Sequence, residues 1–86
     1  MFESLWLEST LDQLAVIYIA VDAQNRARLS EGVERLNRRL SSDPLDVGES
    51  RAGGFRVAFT PLLMVYFHVD EMKRRVRVTD VIAYGN

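Results

Sequence analysis

GFRVAFTPLLMVYFHVDEMKRRVRVTDVI, Gly54 to Ile82, reads as three β-strands in succession. In GFRVAFT (Gly54–Thr60), Phe55, Val57 and Phe59 alternate with Arg56, Ala58 and Thr60. That period of two gives a half-buried strand one apolar face, here expected to carry the three larger apolar residues inward. Pro61 cannot donate to a ladder and so punctuates the run. LLMVYFHV (Leu62–Val69) is apolar at nearly every position, as in a central strand covered on both faces. Asp70–Lys73 makes a polar turn without the glycine that a two-residue hairpin prefers. RVRVTDVI (Arg75–Ile82) alternates again, Val76 and Val78 against Arg75 and Arg77. The reading is a three-stranded antiparallel meander, and the residues before it must supply its cover.

Those residues read as one strand and two helices. FESLWL (Phe2–Leu7) alternates apolar and polar positions around Trp6. Ser9 or Thr10 then looks like an N-cap, with Asp12 in capping-box spacing from Ser9. The spacing of Leu11, Leu14, Ala15, Tyr18 and Val21 predicts a helix from Thr10 to Val21, although LAVIYIAV (Leu14–Val21) is β-branched enough to suit a buried strand. Asp22 caps a second helix from Ala23 to Ser41, with a stripe of Leu29, Val33, Leu36 and Leu40. Glu31–Arg35 and Glu34–Arg38 stand in the favourable i,i+4 order. Gly32 weakens this helix and suits close packing against the first. Asp43–Pro44 ends it, and Ser41–Gly53 is a loop. The expected fold is α+β, in the order β-α-α-β-β-β, with a two-helix hairpin on an antiparallel sheet. The predicted core holds Leu11, Leu14, Tyr18, Leu29, Val33, Leu36, Leu40, Phe55, Val57, Phe59, Val65, Val76 and Val78.

A chain of 86 residues has room for one small core, so residues 1–86 read as a single domain. With no cysteine and one histidine, disulfide, thiolate and His-rich zinc chemistry are excluded, and no cofactor or metal is expected. No apolar run approaches the roughly 18 residues of a membrane span, and the N-terminus has no basic leader region. No membrane contact and a cytoplasmic address are expected. The net charge of −1 conceals a division. Residues 1–50 carry five basic and nine acidic side chains, and residues 51–86 six and three, giving −4 and +3. The basic half coincides with the sheet, an asymmetry that can steer an acidic partner to one face. Lys73 and Arg74 read as solvating a turn.

The leading strand with its Trp, the loop LSSDPLDVGESR (Leu40–Arg51) and the strands GGFRVAF, PLLMVYFHV and RRVRVTDV together resemble the RelE/ParE superfamily of type II toxins, from Leu5 to Val81. The resemblance implies a helix-covered sheet whose other surface is toxic, and a cognate antitoxin that wraps a tail around it in a hetero-oligomer. RelE-like members cut mRNA on the ribosome, whereas ParE-like members inhibit DNA gyrase and cut nothing. RNA cleavage through the 2′-hydroxyl needs proton transfer and stabilisation of the phosphorane charge. The nuclease arginine on the third strand falls at Leu63 here, the late basic residues fall near Ala83 and Tyr84, and the segment carrying the late catalytic Tyr is absent unless Tyr84 stands in for it, so most of the nuclease set is missing. A ParE-like, non-catalytic mode is therefore expected over RNA cleavage, and a homologue acting only in protein–protein binding is a third reading.

Individual residues keep two readings each. Arg56 lies opposite Phe55, Val57 and Phe59, so it is expected to point away from the helices, as a contact residue or as a solvated arginine. Arg51 pairs with Glu49 or contacts phosphate. Arg75 and Arg77 form a clamp or an ordinary solvent-facing ladder, and Arg51, Arg56, Arg75 and Arg77 are the candidates for target or antitoxin contact. Arg56, Tyr84 and His68 are weak catalytic candidates, with His68 reading first as hydrogen-bonded structure and Tyr66 as sheet packing. Asp80 shares parity with Val76 and Val78 and is expected to pair with an arginine.

Overall fold

The computed structural model describes residues 1–84. In chain order the elements are β1 (Glu3–Trp6), α1 (Glu8–Ala20), α2 (Ala23–Ser42), β2 (Glu49–Ser50), β3 (Phe55–Thr60), β4 (Leu63–Asp70) and β5 (Arg75–Ala83). Over these residues the strands form one sheet in the order β1-β5-β4-β3-β2. The meander β3-β4-β5 is antiparallel, as its sequence predicts. β1 joins β5 in parallel, and β2 pairs for two residues with β3, so the α+β fold rests on a mixed sheet. Both helices pack on one face of it, α1 over β5 and α2 across β1 and β3.

β4 sets the inside of the sheet. Leu63, Val65 and Phe67 are completely buried and Val69 nearly so, whereas Met64, Tyr66, His68 and Asp70 on the alternate positions are only half-buried. Directly opposed residues of an antiparallel pair share a face. Thr60, Ala58 and Arg56 lie opposite Leu63, Val65 and Phe67, so this row of β3 points toward the helices. Phe55, Val57 and Phe59 lie opposite His68, Tyr66 and Met64 on the other, open face. This inverts the orientation expected for β3: Arg56 points inward, and Phe55 and Phe59 are exposed outside the core. Val57 is buried, at the middle of the open face. Alternation within a strand shows which residues share a face but not which face is covered. The covered face follows from β4, where one parity is wholly apolar and the other carries Tyr66, His68 and Asp70. It also follows that β4, although central, has helices on one face and not on both.

The β3–β4 turn keeps this register. Pro61 and Leu62 link Thr60 to Leu63, with Leu62 at φ 73°. Proline followed by a residue of positive φ is type II turn geometry, in which that second place normally goes to glycine.

β5 contains an irregularity that its sequence hides. Val78 pairs with Phe67 and Asp80 with Tyr66, leaving Thr79 as the extra residue of a β-bulge. The Thr79 hydroxyl donates to the Tyr66 carbonyl at 3.4 Å. Across the bulge the parity of β5 changes, so Val76, Val78 and Val81 all face the helices while Asp80 joins Arg75, Arg77 and Ile82 on the open face. Asp80 is therefore exposed, not set among the valines as strict alternation implies.

α1 begins two residues earlier than expected. Leu7 occupies its N-cap position with no side-chain cap. Thr10, read as a possible cap from the sequence, is instead wholly buried, and its hydroxyl donates to the Val78 carbonyl at 3.0 Å. Gln13 Oε1 accepts from the Val81 amide at 3.2 Å. The ladder from β1 ends at Trp6 and Val78, and these two side chains continue its work along the same strand. Leu14, Ile17 and Tyr18 of α1 pack on the core, but Leu11 is 49% exposed and not part of it. α2 matches its expected start, since Asp22 accepts from the Asn25 amide at 2.8 Å. Leu29, Leu36 and Leu40 are buried with Phe67, Val65 and the β5 valines in one cluster. Glu31–Arg35 and Glu34–Arg38 lie at 4.0 Å and are exposed, so they add little stability. Gly32 approaches the sheet and not the first helix: a Cβ there would overlap Thr60 Oγ1 and touch Pro61.

Phe59→Ala separates this fold from the one expected of alternation alone, with Leu36→Ala as the core reference. Leu36→Ala should cost about 2–5 kcal/mol of unfolding free energy. Phe59→Ala, at a side chain 59% exposed, should change it by less than about 1 kcal/mol. Urea denaturation of both variants is the measurement, and a large loss in Phe59→Ala would contradict the assignment of faces. Gly32→Val should destabilise by about 1–3 kcal/mol or more through overlap with Thr60.

Candidate functional site

The open sheet face is the place to look for function, because it is broad, rigidly backed and uncovered by the described residues. Its rows run across the strands. Leu5, Arg77, His68 and Phe55 lie side by side, then Asp80, Tyr66 and Val57, then Ile82, Met64 and Phe59. Arg75 and Asp70 extend the first end, opposite each other on β5 and β4. The face thus grades from charged at one end to apolar and aromatic at the other.

At the charged end, Arg75 Nε donates to Glu3 Oε1 at 3.2 Å across the parallel β1–β5 pair. Both are well exposed, so the pair fixes the Arg75 side chain more than it stabilises the fold. Arg77 is exposed between Leu5 and His68 and has no ion pair among the described residues. It is the less committed of the two arginines.

His68 is positioned by packing. Its ring meets Phe55 edge to face with centroids 4.9 Å apart. Gly54, at φ +81°, leaves room for it: a Cβ there would come within 3.0 Å of His68 Nε2. Its Nδ1 is buried and has no hydrogen-bond partner among the described residues. The sequence reading of His68 as hydrogen-bonded structure is therefore corrected to an aromatic-packed ring.

At the other end Phe59 packs edge to face on Tyr84, with centroids 5.2 Å apart. The Tyr84 amide donates to the Leu62 carbonyl at 3.1 Å, which ties the residue after β5 beside the β3–β4 turn. Phe59, Ile82 and Tyr84 are all large and exposed, and Met64 lies between them half-buried. Around the β3 edge from this patch, Gly32, Arg35, Leu36 and Arg39 of α2 and Phe59, Thr60 and Pro61 enclose a groove of about 320 Å³.

The remaining candidates lie elsewhere. Arg56 reaches under β3 on the helix side, where Nε donates to the Val47 carbonyl at 2.9 Å and Nη2 to the Gly48 carbonyl at 3.1 Å. It clamps the loop before β2, a structural task in place of the outward contact expected of it. Arg51 is exposed beyond β2, with Glu49 at 3.5 Å and the Ser50 carbonyl at 3.1 Å. The structure therefore gathers Arg75, Arg77, His68 and Tyr84 on one surface and separates Arg51 and Arg56 from it. Phe55, Phe59, Met64 and Ile82 were missed as site residues. The signal was present in β4, whose Tyr66/His68/Asp70 parity marks the uncovered side.

The titratable groups of this surface are His68, Tyr66, Tyr84, Asp70 and Asp80, beside Arg75 and Arg77. Leu63, at the position matched to a nuclease arginine, is completely buried on the opposite face. The charge at hand for a phosphorane reduces to Arg77 and the paired Arg75. No cluster of three or more His, Cys, Asp or Glu able to hold a metal occurs among the described residues. No helix among them is long and apolar enough to cross a membrane.

No protein-family model matches the sequence, and no curated protein matches it. Solved structures do. A chain of the chromosomal ParDE TA system from P. aeruginosa superposes with a TM-score of 0.74 at 13% identity, over 99% of this chain and 98% of that one. The isolated E. coli RelE toxin gives 0.66 at 15% identity, over 100% of this chain and 87% of the other. A chain of the intact E. coli RelBE toxin-antitoxin complex gives 0.64 at 15%, over 100% of both. The chain has the RelE/ParE fold.

Proposed function

We propose that residues 1–86 form a single toxin domain of a type II toxin–antitoxin pair, acting in the bacterial cytoplasm. On this reading its open sheet face binds a cognate antitoxin and, when free, a gyrase-type macromolecular target without cutting RNA. The observation that carries the proposal is the uncovered face itself. Phe55, Phe59, Ile82 and Tyr84 are each at least 41% exposed on one surface of a small protein, next to Arg75 and Arg77. Contiguous apolar surface with a charged border marks an interaction site. The likeness to chains from the ParDE system and the RelBE complex supports an antitoxin as one partner.

An antitoxin tail on this surface would place apolar anchors against Phe59, Met64 and Tyr84 and carboxylates toward Arg75 and Arg77. The groove beside α2, with Arg35 and Arg39 above Phe59 and Pro61, offers a second apolar anchor point continuous with the first. A small acidic or DNA-binding protein encoded in an adjacent reading frame is the candidate partner. A supercoiling assay with purified gyrase tests the target: the chain should block supercoiling, and the antitoxin should restore it.

The non-catalytic mode is supported by the shortage of free cations on the face, where Arg75 is paired with Glu3 and Arg77 alone stands without an ion pair among the described residues. The RelE-like alternative draws on His68, Arg77 and Tyr66, which stand near one another on it. Primer extension on translated mRNA separates the two. We expect no codon-dependent cuts. Efficient cuts that vanish in Arg77→Ala or Tyr84→Phe, with the fold intact, would transfer the chain to the nuclease class.

Arg75→Glu/Arg77→Glu should slow association with the antitoxin roughly tenfold or more at low salt and flatten its salt dependence, because exposed charges govern encounter more than affinity. The fold should survive, as both side chains are solvent-accessible. Stopped-flow association at two ionic strengths is the readout. Unchanged rates would place the interface elsewhere, most directly on the helix side of the sheet.

A further inference from the structure

The outer side of α1 is as apolar as its inner side. Leu11, Val16 and Ile19 are 49, 67 and 79% exposed, and Ala15 between them and Ala20 beside Ile19 are exposed as well. Leu11, Ala15 and Ile19 form one i,i+4 ridge. None of these residues belongs to the open sheet face or to the groove beside α2, since α1 covers the opposite face of the sheet over β5. The reading proposed above leaves this ridge without a role.

From this ridge we infer that α1 is a self-association surface, on which a second copy of this chain packs its own α1 in the antiparallel sense. Two properties identify the occupant. The ridge is symmetric about Ala15, so an antiparallel mate sets Leu11 against Ile19 and Ile19 against Leu11, with a small residue at the crossing where the backbones approach most closely. The ends of the ridge are also complementary in charge. Glu8 and Asp12 lie in the first turns of α1, which carries no basic residue. At its other end Arg26 donates Nε to the Tyr18 carbonyl at 2.9 Å, placing a guanidinium beside the last turn. Antiparallel pairing brings Glu8 of each copy toward Arg26 of the other, the Asp22 carboxylate at that end being held on the Asn25 amide, whereas parallel pairing would oppose Glu8 to Glu8. An anionic membrane is a poor occupant, because an interfacial helix carries Lys or Arg along its polar side and this one carries Glu and Asp. In the dimer both open sheet faces remain accessible.

Sedimentation equilibrium of the full chain without antitoxin, over a range of protein concentrations, is the test. The wild type should show a monomer–dimer equilibrium. Ile19→Asp should weaken it by roughly 30-fold or more, the effect of losing a central apolar anchor, while circular dichroism confirms an intact fold at this exposed position. Glu8→Arg should weaken it less, and Glu8→Arg/Arg26→Glu should recover association relative to Glu8→Arg alone. A wild type that stays monomeric up to its solubility limit would overturn the inference, as would a dimer indifferent to Ile19→Asp. Failure of the charge exchange to recover association would overturn the antiparallel arrangement. If the chain is monomeric and Ile19→Asp instead abolishes antitoxin binding, the ridge belongs to the antitoxin and self-association is excluded.

Discussion

One row of four side chains on β4 governs the rest of the molecule. Leu63, Val65, Phe67 and Val69 form an unbroken apolar row at the centre of the sheet, and burying it requires cover on that side alone. The helices satisfy that need, with Leu29, Leu36 and Leu40 of α2 and Leu14, Ile17 and Tyr18 of α1 closing over it. Pairing to β4 then fixes the orientation of both neighbours. Arg56, turned inward as a result, finds backbone carbonyls of the preceding loop as partners and does not stay unsatisfied. The aromatic residues of β3, turned outward, are exposed on the open face.

The bulge at Thr79 is the second device that shapes that surface. Without it, Asp80 would enter the core and Val81 would leave it. With it, β5 keeps Val76, Val78 and Val81 inside and still presents Asp80 and Ile82 outside. α1 is held at the same place, through Thr10 on the Val78 carbonyl and Gln13 on the Val81 amide. The irregular point of β5 is thus anchored from both sides, by Tyr66 in the sheet and by α1 above it.

Much of this was legible in the amino-acid sequence. The meander, the second helix with its Asp22 cap and the RelE/ParE-like element order follow from period, cap chemistry and motif order. Three features were not. The facing of β3 could not be read from β3 itself, because Phe55, Val57 and Phe59 look like an inner row until β4 is seen to own a purer one. The bulge left no mark, since Thr79 and Asp80 continue an acceptable alternation. Thr10 carries the signature of a cap but is used as a buried tether, because α1 starts at Glu8 and its third residue meets the Val78 carbonyl of β5, which also accepts the Leu7 amide. Of the arginines singled out, Arg75 and Arg77 share the open face, whereas Arg51 lies at the sheet edge and Arg56 beneath it. The exposed aromatics were missed through the same error of facing.

On the proposed function, the open sheet face, and not the helix side, receives the partner. Oxidative footprinting of side chains by hydroxyl radicals, on the chain alone and with the proposed antitoxin, tests this directly. Met64, Phe59 and Tyr84 should be strongly protected in the complex, while Met72, which is 96% exposed in the β4–β5 turn, serves as the internal reference. Equal labelling of Phe59, Met64 and Tyr84 in the free and bound states would contradict the account.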